Sequence, residues 1–121
     1  MWFEELPEKC PPNDARHQEG KVFYRLVAYN PTRCQDFWSQ RKMFPDKVFN
    51  APECIARAVS ISAKPDGLKN LQKLSMHKGK YIVRITLQAS DGLIKKTGKD
   101  QDHYSWWRSL TFNFRQNIEP I

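Results

Sequence analysis

Residues 21–29, KVFYRLVAY, constrain the fold more than any other stretch of the chain. Beta-branched and aromatic side chains crowd it and Asn30-Pro31 ends it, the pattern of a strand. Alternation places Val22, Tyr24, Leu26 and Ala28 on one face and Phe23, Val27 and Tyr29 on the other. Both faces are apolar, so the strand belongs at the centre of a sheet covered on both sides. Arg25 interrupts it. A cation inside such a strand is costly unless it is paired or reaches a cleft. Two readings stay open: a guanidinium engaged within the fold, or one that meets an anion in a pocket.

The other elements follow by the same rules. Residues 1–20 carry Pro7, Pro11, Pro12 and Asn13-Asp14 and read as an arm and surface loop ahead of a core over 21–121. Thr32 is placed to cap a short helix that turns Cys34, Phe37 and Trp38 inward. ECIARAVSIS (53–62) begins as a helical turn and ends as a strand, with Ser60 and Ser62 on one strand face. In 65–77, Leu68, Leu71 and Leu74 recur at helical spacing with lysines outward. KYIVRITLQA (80–89) is a strand with Tyr81, Val83, Ile85 and Leu87 on one side and Ile82, Arg84, Thr86 and Gln88 on the other. Ser90-Asp91-Gly92 turns the chain into LIKKT (93–97), a hairpin partner. HYSWWRS (103–109) and LTFNF (110–114) read as further strands. The expectation is a single α+β domain over 1–121: a mixed or mostly antiparallel sheet with one main and one short helix packed on it.

Composition bounds function. No apolar run approaches the ~20 residues of a membrane span, and MWFEELPEK is too acidic and too short in its apolar part for a secretory signal. The expected location is the cytoplasm, with no membrane partner. Cys10, Cys34 and Cys54 are widely spaced and form no Cys-x-x-Cys pair, so no zinc site is expected and free, reduced thiols are. The net charge of +7 is uneven: residues 1–60 hold 9 basic and 8 acidic side chains, residues 61–121 hold 11 and 5. A basic half fits either a solvated lysine surface or an anionic partner, such as a nucleotide, nucleic acid or an acidic protein face.

No glycine-rich phosphate loop, Gly-x-Ser-x-Gly or His-Glu-x-x-His motif is present. HYSWWRS is the densest chemistry. As a strand it divides, with His103, Ser105, Trp107 and Ser109 on one face and Tyr104, Trp106 and Arg108 on the other. One tryptophan is then expected in the core and the other against a cleft or the surface. An aromatic beside an arginine can stack a base or a nicotinamide, or can simply hold the fold together. His103 is the side chain here able to act as acid or base near neutral pH.

WFEELPEKCPPNDA, FYRLVAYNPT, ECIARAVSIS and TGKDQDHYSWWRS together resemble a family of short bacterial proteins with a closing HYSWWRS signature. That resemblance covers nearly the whole chain and implies no activity. A partial one is carried by an arginine-bearing strand followed by Ser-x-Ser, which is similar to ADP-ribosyltransferases. It implies an NAD cofactor held by Arg25 at the pyrophosphate and by Ser60 and Ser62 at the ribose. Tyr104 or Trp106, with Arg108 alongside, would stack the nicotinamide. That family's catalytic glutamate has no counterpart here. Gln101-Asp102-His103 stands near its place, which makes Asp102 and His103 the candidate catalytic residues. The functional expectation is a nucleotide-binding domain of ADP-ribosyltransferase type, active or degenerate. The alternative is a non-catalytic module that binds nucleic acid or a protein through the basic C-terminal half.

Overall fold

The computed structural model describes residues 1–121. Its strands are β1 (Val22–Val27), β2 (Val59–Ser62), β3 (Tyr81–Thr86), β4 (Gly92–Lys96), β5 (His103–Arg108) and β6 (Ile118–Pro120). Its helices are the single turns α1 (Gln40–Met43) and α2 (Glu53–Ala56) and the longer α3 (Asp66–Gln72). The strands form one sheet in the order β4-β5-β2-β1-β3-β6, and every pairing is antiparallel. The fold is α+β, with the Arg25 strand at the centre.

One face of the sheet carries the main core. Phe23 and Val27 of β1 meet Val59, Ile61, Val83, Ile85 and Trp106 there, under a lid made by Phe37 and Phe112. Phe37, Trp106 and Phe112 pack edge to face, with centroids 4.7–6.3 Å apart. Each fully buried aromatic contributes about 1.5–3 kcal/mol through the water it sheds.

Arg25 shares that face, by alternation with Phe23 and Val27, and its guanidinium explains why a cation is tolerated. Nε donates to the Asp36 carbonyl at 2.7 Å, Nη1 to the Ser60 carbonyl at 2.7 Å and Nη2 to the Trp38 carbonyl at 3.4 Å. Loss of water around the group pulls its pKa down to about 10, against the attraction of the nearby Asp36 charge. It remains a cation at neutral pH. Asp36 is itself anchored, accepting from the backbone N–H groups of Ala28 and Arg33. Asp36 therefore caps the 3-10 turn Cys34–Phe37 in concert with Arg33, the N-cap residue. Thr32, expected as the cap, instead donates to the Phe114 carbonyl at 2.6 Å.

The opposite face is covered partly by α3 and fully only at the β4–β5 end. There Trp107 packs with Ala15 and Ala58, against Trp2, Leu6 and Ile55. Its Nε1 donates to the Cys54 carbonyl at 2.9 Å. Both tryptophans are thus buried, Trp106 at 0% and Trp107 at 1% exposure, which corrects the expectation that one would line a cleft. The cover over Trp107 is the N-terminal arm, and Cys10 is bonded to Cys54 across it. Only Cys34 is free, so the expected trio of reduced thiols is overturned by chain path: the arm brings together two cysteines 44 residues apart. Closing a loop of that length restricts the unfolded chain by about 4 kcal/mol on the chain-entropy account.

Three element expectations fail. LIKKT (β4) is not the hairpin partner of β3: it crosses to the far edge of the sheet and pairs with β5, while β3 pairs with β1 and β6. Residues 110–114 are not a strand, because Ser109, Leu110 and Thr111 already turn the chain and Leu110 is exposed while Phe112 returns to the core. The last strand is β6, entered through Asn117 in the left-handed region (φ 58°). The helix expected over 65–77 stops at Gln72 and resumes as a 3-10 turn, Ser75–His77.

Replacing Arg25 with Ala strands three carbonyls, so a loss of about 3 kcal/mol is expected in urea unfolding, far more than a surface arginine costs. Asp91 makes the opposite kind of contribution. Burial raises its carboxyl pKa, while its Oδ2 accepts the Gln88 N–H. The folded state then holds the proton to higher pH than the unfolded state, so this group's contribution falls as pH rises through that interval. Asp91→Asn keeps an acceptor for Gln88, and its stability relative to the parent should rise from about pH 3 to about pH 7 in pH-dependent unfolding.

Candidate functional site

The uncovered part of the second face is polar by register. His103 pairs with Ser62, Ser62 with Tyr24, Tyr24 with Arg84, and Arg84 with Glu119. Paired residues share a face, so these five side chains form one row across five strands. At one end Arg84 and Glu119 are joined in an ion pair, which raises the Arg84 pKa.

At the other end the row meets α3. A groove of about 360 Å³ opens between the helix and the sheet, lined by Tyr24, Ser60, Ser62 and His103, by Leu68 and Leu71 of α3, and by Asp100. Leu68 and Leu71 are there because α3 turns its apolar stripe to the sheet. The helix is too short, and its leucines too exposed, to close the gap. The volume lies in the range of small-molecule sites, and an apolar wall facing a few converging polar groups is their usual composition.

His103 is held in one ring state. Its Nδ1 lies 3.0 Å from the Thr97 carbonyl and 3.2 Å from Thr97 Oγ1, and Thr97 Oγ1 lies 2.7 Å from buried Ser105 Oγ. A carbonyl can only accept, so Nδ1 carries the proton in the neutral ring and Nε2 is left as the acceptor. The hairpin loop that presents this arrangement is fixed by its own bonds. The Asp102 N–H donates to Asp100 Oδ1 at 2.8 Å, and the Ala63 N–H donates to the Asp102 carbonyl at 2.8 Å. Ser62 Oγ donates to the Lys64 carbonyl at 2.7 Å and accepts the Lys64 N–H at 3.3 Å, so one lone pair is left for a ligand, whereas Ser60 makes no side-chain bond within the fold.

The structure brings together three of the residues singled out in the sequence, Ser60, Ser62 and His103, and separates the others. Arg25 lies on the core face, committed to three backbone carbonyls, and cannot converge with them. Tyr104 packs edge to face on Phe23 at 5.2 Å on that same core side. Trp106 is fully buried and donates to the Asp91 carbonyl at 2.9 Å, so it has no free face for stacking. Arg108 is 6% exposed and stacks on Phe3 at 3.7 Å, with Phe112 at 5.2 Å on the same guanidinium. Its Nη1 donates to the Phe37 carbonyl at 3.0 Å. Asp102 sits in the loop beside the groove, and the acid that lines the groove is Asp100.

Tyr24, Asp100, Leu68 and Leu71 were missed as a set. Tyr24 and Ser62 could have been joined only through the β1–β2 register, which alternation within one strand does not supply. No family model, curated protein or solved structure matches this chain.

The ring state of His103 is directly measurable. Long-range ¹H–¹⁵N spectra of the neutral imidazole should show a protonated Nδ1 and a bare Nε2. The reverse assignment would mean that the Thr97 carbonyl does not hold the ring.

Proposed function

We propose that this chain is a nucleotide-binding module whose ligand lies in the groove between α3 and the sheet. The observation that carries the reading is the convergence of one phenol, two hydroxyls, one carboxylate and one imidazole on a pocket walled by Leu68 and Leu71. A base fits between the leucines and the Tyr24 ring, where stacking and apolar burial combine. A ribose diol fits the Asp100 carboxylate, which accepts two hydroxyl donors, with Ser60 beside it. His103 Nε2 accepts a further donor. Lys64 and Lys99, each one or two residues from a groove residue in sequence and neither in an ion pair, would supply the positive charge for a phosphate.

NAD remains the cofactor to test, because the Ser-x-Ser strand lines the groove. The transferase version of the reading has weaker support. Its arginine would be Arg25, which is bound to carbonyls on the other face, and its acid would have to be Asp100 or Asp102. The supported form is nucleotide binding with the transfer chemistry left out. A module that grips nucleic acid or an acidic protein through the lysines of the C-terminal half is the alternative, favoured by the charge of residues 61–121.

Calorimetry with adenosine, AMP and NAD separates these. Binding of AMP or NAD that weakens at least ~10-fold in His103→Ala and Tyr24→Ala, with unfolding midpoints close to the parent, supports the groove. Failure of all three to bind at millimolar concentration removes the nucleotide reading. A steep loss of oligonucleotide affinity with added salt, unaffected by those two substitutions, puts the alternative in its place.

A further inference from the structure

We propose that the Cys10–Cys54 disulfide is a redox latch: a dithiol reductant frees the N-terminal arm and bares Trp107 and Arg108 while the sheet stays folded. The arm and the sheet are separate packing units. The bond lies within the small cluster around Trp107, and none of the residues of the main core belongs to it. Opening the small cluster therefore leaves the burial of Phe23, Phe37 and Trp106 intact, which is the condition for local rather than global opening.

Beyond the disulfide, the bonds that hold residues 1–10 to the rest of the fold come from their first few residues. Residues 14–20 keep their own ties, with Arg16 and Ile94 exchanging both backbone hydrogen bonds, Asp14 paired to Lys95 and the Gly20 N–H donating to the Leu87 carbonyl, so the segment that opens is residues 1–10. The Phe3 N–H donates to the Arg108 carbonyl at 3.2 Å, and the Leu110 N–H to the Met1 carbonyl at 2.8 Å. Glu4 accepts from the N–H and Oγ of Ser39, and the Glu5 carbonyl accepts from Arg57 at 2.7 Å. Against these stands Arg108. It is a buried cation with no carboxylate partner, its Nε has no acceptor, and the Phe3 ring lies over it at 3.7 Å. Lifting Phe3 returns that guanidinium to water, which offsets part of the free energy of opening. The disulfide is the one covalent tie that holds the arm over this cation.

Both cysteines are half-buried, so a reductant thiolate has access. It attacks one sulfur, and the Sγ–Sγ bond breaks to give a mixed disulfide. The reductant's second thiolate then displaces the remaining cysteine. Two electrons pass to Cys10 and Cys54, which take up two protons as thiols, and the reductant leaves as its own disulfide. In a reducing cytosol such bonds are transient and redox-sensing, the setting in which a latch of this kind works.

The test uses the full chain carrying Cys34→Ser, so that no other pairing forms. Dithiothreitol should raise amide exchange in residues 1–10 and 108–110 by at least ~10-fold, with β1 and β3 still protected. Tryptophan emission should move to the red, and reoxidation should reverse both changes. Cys10→Ser/Cys54→Ser should show the open pattern without reductant. Unchanged exchange on reduction would mean that the other contacts hold the arm and there is no latch. Loss of protection throughout the sheet, in the reduced protein or in the double variant, would make the bond a staple of the whole fold and equally overturn the proposal.

Discussion

The guanidinium of Arg25 bonded to the carbonyls of Asp36, Trp38 and Ser60 is the interaction on which the rest depends. It ties the segment after β1 to the neighbouring strand β2, and so sets the height at which Phe37 enters the main core. Asp36, anchored by two backbone N–H groups, fixes that segment from the other side. An arginine suits this position because its planar fork reaches several carbonyls at once and stays charged even when water is withdrawn. A cation that looked like a functional anomaly in an apolar strand is thus a brace.

That brace decides where a ligand can go. Arg25, Trp106 and Arg108 are all committed to carbonyls on the core face, so none of these three is free to bind a ligand there. The second face has two parts with different physics. At the β4–β5 end it is dry, sealed by the arm over Trp107. Further along, the row from His103 to Glu119 stays polar, and α3 covers it only partly. The groove is the boundary between these parts, where an apolar helix stripe faces hydroxyls and an imidazole instead of more core.

Much of this was legible in the sequence. The inward pair Phe23 and Val27, the inward set Val83, Ile85 and Leu87, and the splitting of HYSWWRS into two faces all follow from period-two alternation. The cover expected on both sides of 21–29 is missing over Val22, Tyr24 and Leu26, which are only half-buried. The chain does turn at Ser90-Asp91-Gly92, where Gly92 has φ 128° and a Cβ would lie 2.1 Å from the Trp107 carbonyl, but the turn carries the chain across the fold to β5 and closes no hairpin with β3. What failed required knowledge of pairing. Whether Trp107 meets solvent depends on an arm more than ninety residues earlier, and the Cys10–Cys54 bond depends on that arm reaching across 44 residues to α2. The LTFNF segment alternates like a strand, yet the chain turns at Leu110 and Thr111 and sends Phe112 back into the core, so a local pattern lost to packing. Ser60, Ser62 and His103 could be named but not joined to Tyr24 and Asp100 without the register.

On the proposed reading one face of this sheet is structural and the other, beneath α3, receives a ligand. Mapping amide shift changes during an AMP titration tests it most directly, because every residue reports its own face. The account predicts changes centred on Tyr24, Ser60, Ser62, Leu68, Asp100 and His103, with the signals of Arg25, Phe37 and Phe112 still. Changes centred on Arg25 and Arg108, or scattered over the exposed lysines with no focus at the groove, would contradict it.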